Sequence, residues 1–306
     1  MPVSRGLRAA GMLLSTAVAL SGLSATSAVG VARSQTPMVD RPVSADEVRA
    51  RPVVKGRWTF ETASGSPLVT PDASTSGNAM TLYGGAQIGS GWVDGGVTLD
   101  GVDDYGVTSA TPVDSSAGFT ISAWAQASAV PQKSVALLSM PGEEQSAFTV
   151  LYVPSTTPDK DPGRWRIAMA SEDTPGATVR QVENGRFFSP TDWTHVALVY
   201  DGSAKHLSLY VNGELEEVRC ADDDGDGVQD DPTCTDRFSW ADDVGSFESA
   251  QPMQLGRAKT GPNMWGQYWP GTVSDVWAFQ GALSPAQIQM LSVGMPGMPT
   301  DVPGGN

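Results

Sequence analysis

The chain is poor in the residues that most enzymes use. Its 306 residues include two histidines, His195 and His206, and two cysteines, Cys220 and Cys234. No H-E-x-x-H or G-x-S-x-G occurs, so the zinc-protease and serine-hydrolase constellations are excluded. A lone histidine inside a β-type segment reads as hydrogen-bonded structure, and two cysteines in an exported chain read as a pair. Basic residues are scarce too, with 19 Lys and Arg against 34 Asp and Glu, for a net charge of −15. Such a surface repels phosphates and anionic lipid, which excludes nucleic acid as a partner and favours cations. No apolar run is long enough to span a bilayer.

What is present begins with an export pattern. Arg5 and Arg8 precede the uncharged, mostly apolar run Ala9–Leu23, and small residues follow as far as Ala28 and Ala32. Basic, apolar and small-residue segments in that order are those of a secretory signal. Residues 1–28 are therefore expected to be removed and the protein to be secreted, free or attached to the cell surface. No cysteine follows the run to carry a lipid anchor. In an oxidising compartment a Cys220–Cys234 disulfide is the natural state. Residues 29–52 carry Ser, Pro, Arg and Asp without apolar period and read as a linker. Residues 53–293 read as one domain, and 294–306, mostly Gly, Pro and Met, as an unstructured tail.

Within 53–293 the pattern is that of strands. The clearest are Arg57–Phe60, Gly96–Asp100, Phe119–Ala127, Ser134–Ser139, Ala147–Val153, Arg164–Ala170, Thr194–Tyr200, His206–Val211, Glu214–Arg219 and Thr272–Phe279. Phe119, Ile121 and Ala123 alternate with Thr120, Ser122 and Trp124. Leu207, Leu209 and Val211 alternate with His206, Ser208 and Tyr210. Alternation puts one face on a core and the other toward solvent or a second layer. The 34 glycines and 22 prolines suit the many turns required. Asn212-Gly213 suits a tight hairpin, because both residues tolerate positive φ, and Asp100-Gly101 is expected to close another. One short helix is indicated at Pro285–Leu291, with Ser284 as cap, Pro285 at the first position and Gln287 completing a capping box.

Seven stretches occur in order: GRWTFE, GGVTLDGVDDYGVT, GFTISAWAQ, DWTHVALVYDG, LSLYVNGELEEV, MQLGR and WPGTVSDVWAFQGALSPAQI. Together, over about 54–293, they resemble the laminin-G-like jelly-roll domains of the concanavalin A-like lectin/glucanase superfamily. The resemblance implies an all-β, two-sheet antiparallel sandwich with one short C-terminal helix. It implies function less firmly, since the fold carries lectins, adhesion modules, hydrolases and lyases. Trp124, Trp193 and Trp277 are expected to fill the space between the sheets, and Trp269 to pack in the core. Glucanases of this superfamily carry E-x-D-x-E on one strand, which is absent here; Glu214, Glu216 and Glu217 come nearest and read as a charged exposed edge with Leu215 and Val218 packed. No catalytic residue is assigned.

One segment has chemistry of its own. In CADDDGDGVQDDPTC, residues 220–234, six of the ten residues from Asp222 to Asp231 are aspartate, whose mutual repulsion a divalent cation would reverse. Asp222, Asp224, Asp226, Gly227 and Asp230 fall at positions 1, 3, 5, 6 and 9 of an EF-hand-type loop, with the Val228 carbonyl at position 7. Position 12 is Thr233 rather than Glu. The segment more closely resembles the aspartate-rich calcium repeats of thrombospondin type 3, and Asp231 can supply the missing carboxylate. A bridge between Cys220 and Cys234 would close the loop, worth about 3 kcal/mol in the chain-entropy model. The expectation is a structural Ca2+ held by Asp222, Asp224, Asp226, Val228, Asp230 and Asp231.

Two weaker sites follow from the resemblance. Asp72, Asn78 and Asp275 are candidates for a second cation, against an Asx-turn at Asp72 and a surface position for Asp275. In PNMWGQYWPG, Trp265 and Tyr268 stand in a Gly/Pro-rich turn, where flat aromatic faces can stack on sugar rings. The expected function is a calcium-bearing recognition module for an extracellular glycan or protein. The alternatives are a polysaccharide hydrolase or lyase, and a structural component of the cell envelope.

Overall fold

The computed structural model describes residues 51–155, 163–184, 189–220 and 236–294. The export segment, nearly all of the linker, the acidic loop from residue 221 to 235 and the tail beyond 294 lie outside them. In chain order the described elements are β1 (Val53–Trp58), β2 (Leu68–Thr70), β3 (Met80–Tyr83), β4 (Gln87–Ser90), β5 (Gly95–Asp100), β6 (Tyr105–Thr108), β7 (Phe119–Ala127), β8 (Val135–Pro141), β9 (Ser146–Pro154) and β10 (Gly163–Ala170). They continue with β11 (Val179–Glu183), β12 (Thr194–Asp201), β13 (His206–Val211), β14 (Glu217–Val218), β15 (Arg237–Phe238), β16 (Trp240–Ala241), β17 (Gln254–Leu255), β18 (Ala258–Gly261), β19 (Met264–Gly266), β20 (Pro270–Gln280) and α1 (Pro285–Ser292).

Two antiparallel sheets face each other, as the sequence pattern requires. The first runs β16-β13-β12-β7-β20-β5-β4, with β1 also paired to β20; the second runs β11-β10-β9-β8-β17-β6-β3-β2. Phe119, Ile121 and Ala123 of β7 and Leu207, Leu209 and Val211 of β13 enter the core between the sheets. There they meet Phe148, Trp165 and Leu255 from the second sheet. The alternate residues of β7 and β12 are buried as well, since a second layer covers the outer face of the first sheet. Helix α1 and the turn before it form part of that layer, with Leu283, Ile288 and Leu291 packed on Ala197, Val199, Tyr210, Trp277 and Phe279, and Trp92 covers Trp124. The helix begins as its sequence predicts: Ser284 Oγ accepts the Gln287 N–H, and Gln287 Oε1 accepts the Ser284 N–H.

Three expectations are corrected. Trp124, Trp193 and Trp277 do not lie between the sheets. Trp277 is under the helix, stacked on Phe279, while Trp124 stacks on Trp92, which also meets Trp193. Alternation is the cause, because Ala123, Ala125, Val276 and Ala278 take the inward positions. The tryptophans between the sheets are Trp58, Trp165 and Trp269.

Asp100-Gly101 closes no hairpin but carries the chain from β5 in the first sheet to β6 in the second. Asp100 organises this crossing by accepting the N–H groups of Val102, Asp103 and Asp104. Finally, the strand expected at Glu214–Arg219 shrinks to Glu217–Val218. The Asn212-Gly213 turn forms with φ of 52° and 83°, but β13 then pairs with β16 instead. The exposures differ at two positions: Glu214 and Glu217 are exposed as expected, but Glu216 is buried, its N–H donating to Ser239 Oγ, and Leu215 is 38% exposed.

Candidate functional site

The residue that builds the candidate site is Trp265, on the hairpin of β18 and β19. The hairpin packs on the outer face of the second sheet, where Ala258 meets Ala136 and Leu151. Beside it lies a cleft of about 440 Å³ walled by Trp265, Lys259, Glu143, Glu144, Gln251 and Asn263, among others. Glu143 and Glu144 are exposed on the turn between β8 and β9. Asp173 fixes that turn, accepting the N–H groups of Glu143, Glu144 and Gln145 at 2.7–2.8 Å. Burial works to raise the Asp173 pKa, but these donors and Lys259 together hold it below the usual carboxylate value. The Lys259 ammonium is itself committed, donating to the carbonyls of Gly142 and Glu143.

Trp265 is held from one side. The Arg257 guanidinium lies 4.0 Å from its ring and 3.3 Å from the ring of Tyr105. A bond pair to Gln254 Oε1 fixes the guanidinium in its plane. Tyr105 in turn stacks on Tyr83 at 4.9 Å. Tyr268 is half-buried and is not among the residues walling the cleft, and Trp269 is fully buried against Trp165. Sequence reasoning found Trp265 but missed Arg257, Tyr105, Tyr83, Glu143 and Glu144. Arg257 ends the MQLGR stretch, and nothing in the local pattern announces that its side chain will be stacked.

The proposed calcium ligands Asp222, Asp224, Asp226, Val228, Asp230 and Asp231 lie outside the described residues, as does Cys234. Cys220 is at the edge, its N–H donating to an Asp236 carboxylate oxygen at 2.8 Å. The residues named for a second cation do converge, but around Arg57. Asp72 accepts the N–H groups of Arg57 and Ser74 on one oxygen and that of Asn78 on the other. The Ser74 bond is the Asx-turn. Asn78 Oδ1 accepts from Ser109 and Ala110. Asp275 is buried rather than on the surface; its oxygens accept Arg57 Nε at 2.9 Å and Trp277 Nε1 at 2.8 Å. A guanidinium thus stands beside Asp275 where the analogy placed a metal.

Among the described residues one trio of acids is close enough to share a cation, Asp100, Asp103 and Asp104. The backbone N–H groups around the crossing turn occupy oxygens of Asp100 and Asp104. His195 is shut away beside Trp124, and burial lowers its pKa to about 3. It is therefore neutral and out of solvent at any working pH, unlike an acid–base catalyst. His206 pairs with the exposed carboxylate of Asp242.

Fold and cleft together define a two-sheet sandwich with a rigid aromatic wall at one cleft. Residues 100–237 match the family model of the concanavalin A-like lectin/glucanases superfamily. No curated protein matches the chain in sequence. Among solved structures, the binding domain of Paraclostridial Mosquitocidal Protein 1 is similar at TM-score 0.53 and 12% identity, over 78% of this chain and 51% of that one. The Botulinum Neurotoxin serotype G binding domain is similar at TM-score 0.52 and 11% identity, over 78% and 50%. The chain thus spans about half the length of either, and at this identity the likeness is one of fold. No helix among the described residues is long and apolar enough to cross a membrane.

Proposed function

We propose that the protein is an exported, non-catalytic module that recognises extracellular glycans and carries a structural Ca2+ in its acidic loop. The observation that carries this reading is Trp265, a flat ring fixed at the wall of a cleft that also presents the carboxylates of Glu143 and Glu144 and the amides of Gln251 and Asn263. Sugars expose apolar C–H faces and a rim of hydroxyls. A stacking ring flanked by carboxylate acceptors and amides matches both. Because Arg257 and Asp173 hold the wall in place, little ordering entropy remains to be lost on binding.

The likeness to two binding domains supports the reading at the level of fold. Export rests on the N-terminal pattern, and calcium on the aspartate spacing. The Cys220–Asp236 bond supports a Cys220–Cys234 bridge, because it brings the two stems of the acidic loop side by side. The test is a glycan array probed with the mature chain in the presence of calcium, beside Trp265→Ala. Binding by the native chain and loss in the variant are expected. A blank array, or equal signals, would sink the reading, and turnover of a bound glycan would replace it with a hydrolase.

A further inference from the structure

We propose, resting on the glycan reading above, that the cleft at Tyr83 is a second sugar subsite joined to the Trp265 cleft by one stacked ladder, and that the ligand is a neutral linear chain spanning both. The ladder crosses the second sheet from β3 to the β18–β19 hairpin. Tyr83 stacks on Tyr105 at 4.9 Å, and the Arg257 guanidinium lies 3.3 Å from Tyr105 and 4.0 Å from Trp265. These steps put the two end rings no more than about 12 Å apart, a gap that a few sugar residues bridge.

The ladder explains why only its ends can bind. Both inner groups have neighbours on either side, Tyr105 between Tyr83 and Arg257, and Arg257 between Tyr105 and Trp265. Tyr83 and Trp265 each have a ladder neighbour on one side only. Each walls a separate cleft. That at Tyr83 is about 480 Å³ and is formed with Ser66, Pro67, Leu68, Gly84 and Gly85. Tyr83 is 38% exposed there, a large aromatic left open at a strand end. Gly84, at φ 78°, lets the chain turn close beside the ring, and a Cβ there would collide with Asp104. Asp104 in turn accepts the Gly85 N–H, which fixes the cleft floor.

Charge selects the class of ligand. The Tyr83 cleft is walled by no Lys, Arg, Asp or Glu, while the Trp265 cleft presents Glu143 and Glu144 with its one lysine already bonded to carbonyls. Uronates, sulfated sugars and sialylated chains would meet carboxylates without a free cation to pair them. Neutral hydroxyls meet no such penalty.

The experiment measures binding of the mature chain to xylo-, cello-, arabino- and malto-oligosaccharides of two to six residues, with oligogalacturonates as the anionic control. At least one neutral series should bind, with affinity rising through the longer members. Tyr83→Ala should weaken the longest members about five-fold and leave the shortest unchanged, while Trp265→Ala weakens every member. Tyr83→Leu, which keeps apolar bulk at the strand end, should reproduce Tyr83→Ala with the native melting temperature. If Trp265→Ala abolishes binding and both Tyr83 variants bind hexamers like the native chain, the ladder inference falls and the glycan reading stands. If no neutral series binds, or only oligogalacturonates do, the inference falls as well, and a blank array then removes the glycan reading with it.

Discussion

Arg57 Nε donates to Asp275 at 2.9 Å, and the same guanidinium lies 4.4 Å from the ring of Trp277. Asp275 has a φ of 45° and sits in the irregular stretch of β20 between Ser274 and Trp277. On one side of it β20 pairs with β5, and on the other with β1. A bulge of this kind re-aims a side chain, and here it turns a carboxylate onto a cation at the seam between two strands. The pair locks that seam.

Asp275→Asn should therefore be costly. Asparagine tolerates positive φ and keeps the side chain's shape, but the change removes the charge and turns an NH2 donor onto either Arg57 Nε or Trp277 Nε1, both of which the carboxylate accepts. It leaves the Arg57 guanidinium, 14% exposed, with Asp94 at 3.6 Å as its remaining acid. Breaking a buried pair from one side costs about 3 kcal/mol. Urea unfolding followed by tryptophan fluorescence reads this as a lower midpoint at unchanged slope. Arg57→Lys should not be neutral either, since an ammonium does not stack on Trp277 as a guanidinium does.

Helix α1 gives a second, graded prediction. Ser284→Ala removes the cap and half of the capping box at an exposed position, and should cost about 1 kcal/mol. Leu291→Ala removes a buried side chain between the helix and the first sheet, and should cost about 3 kcal/mol. The order of the two midpoints in urea checks that packing, rather than capping, holds the layer down.

How much of this was legible in the sequence follows from how local each cause is. The strands Phe119–Ala127 and His206–Val211 were readable to the residue because their alternation is uninterrupted. The helix was readable because its cap is a four-residue motif. Glu214–Arg219 was misread because the partner of β13 was set elsewhere, by Ser239–Ala241 arriving from beyond the acidic loop. The tryptophans were placed on the wrong face because alternation fixes two faces without saying which is inner. Trp265 was visible as an aromatic in a turn. The ladder behind it joins residues 83, 105, 257 and 265, which no sequence window contains.

The acidic loop predicts a calorimetric result. Calcium titrated into the mature, oxidised chain should bind, and Asp224→Ala and Asp226→Ala should each abolish or greatly weaken the heat, since each removes a carboxylate from alternating ligand positions. Reducing the cysteines should weaken binding too, because the open loop must then be ordered against the repulsion of its own aspartates. No heat with the native chain, or unchanged heat in both variants, would remove calcium from the reading.

His195 makes a prediction about pH. It is buried, and burial lowers its pKa from 6.5 to about 3, so between those values the unfolded chain binds a proton that the folded chain refuses. Its contribution to stability is complete above about pH 6.5 and is lost as pH falls, at roughly 1.4 kcal/mol per unit. Asp100, whose pKa is lowered mainly by the Val102 N–H, and Asp173 also lose stabilisation on acidification, but as carboxylates they do so only near and below their ordinary value of 3.8. The window between pH 6.5 and 5 therefore leaves these carboxylates out, and comparison with a His195 variant isolates that residue. Over it the native chain should lose about 2 kcal/mol more than His195→Gln, measured as the difference in urea midpoints. Equal losses would mean that His195 is reached by a proton in the folded state, and that the stack of Trp92 on Trp124 opens to water.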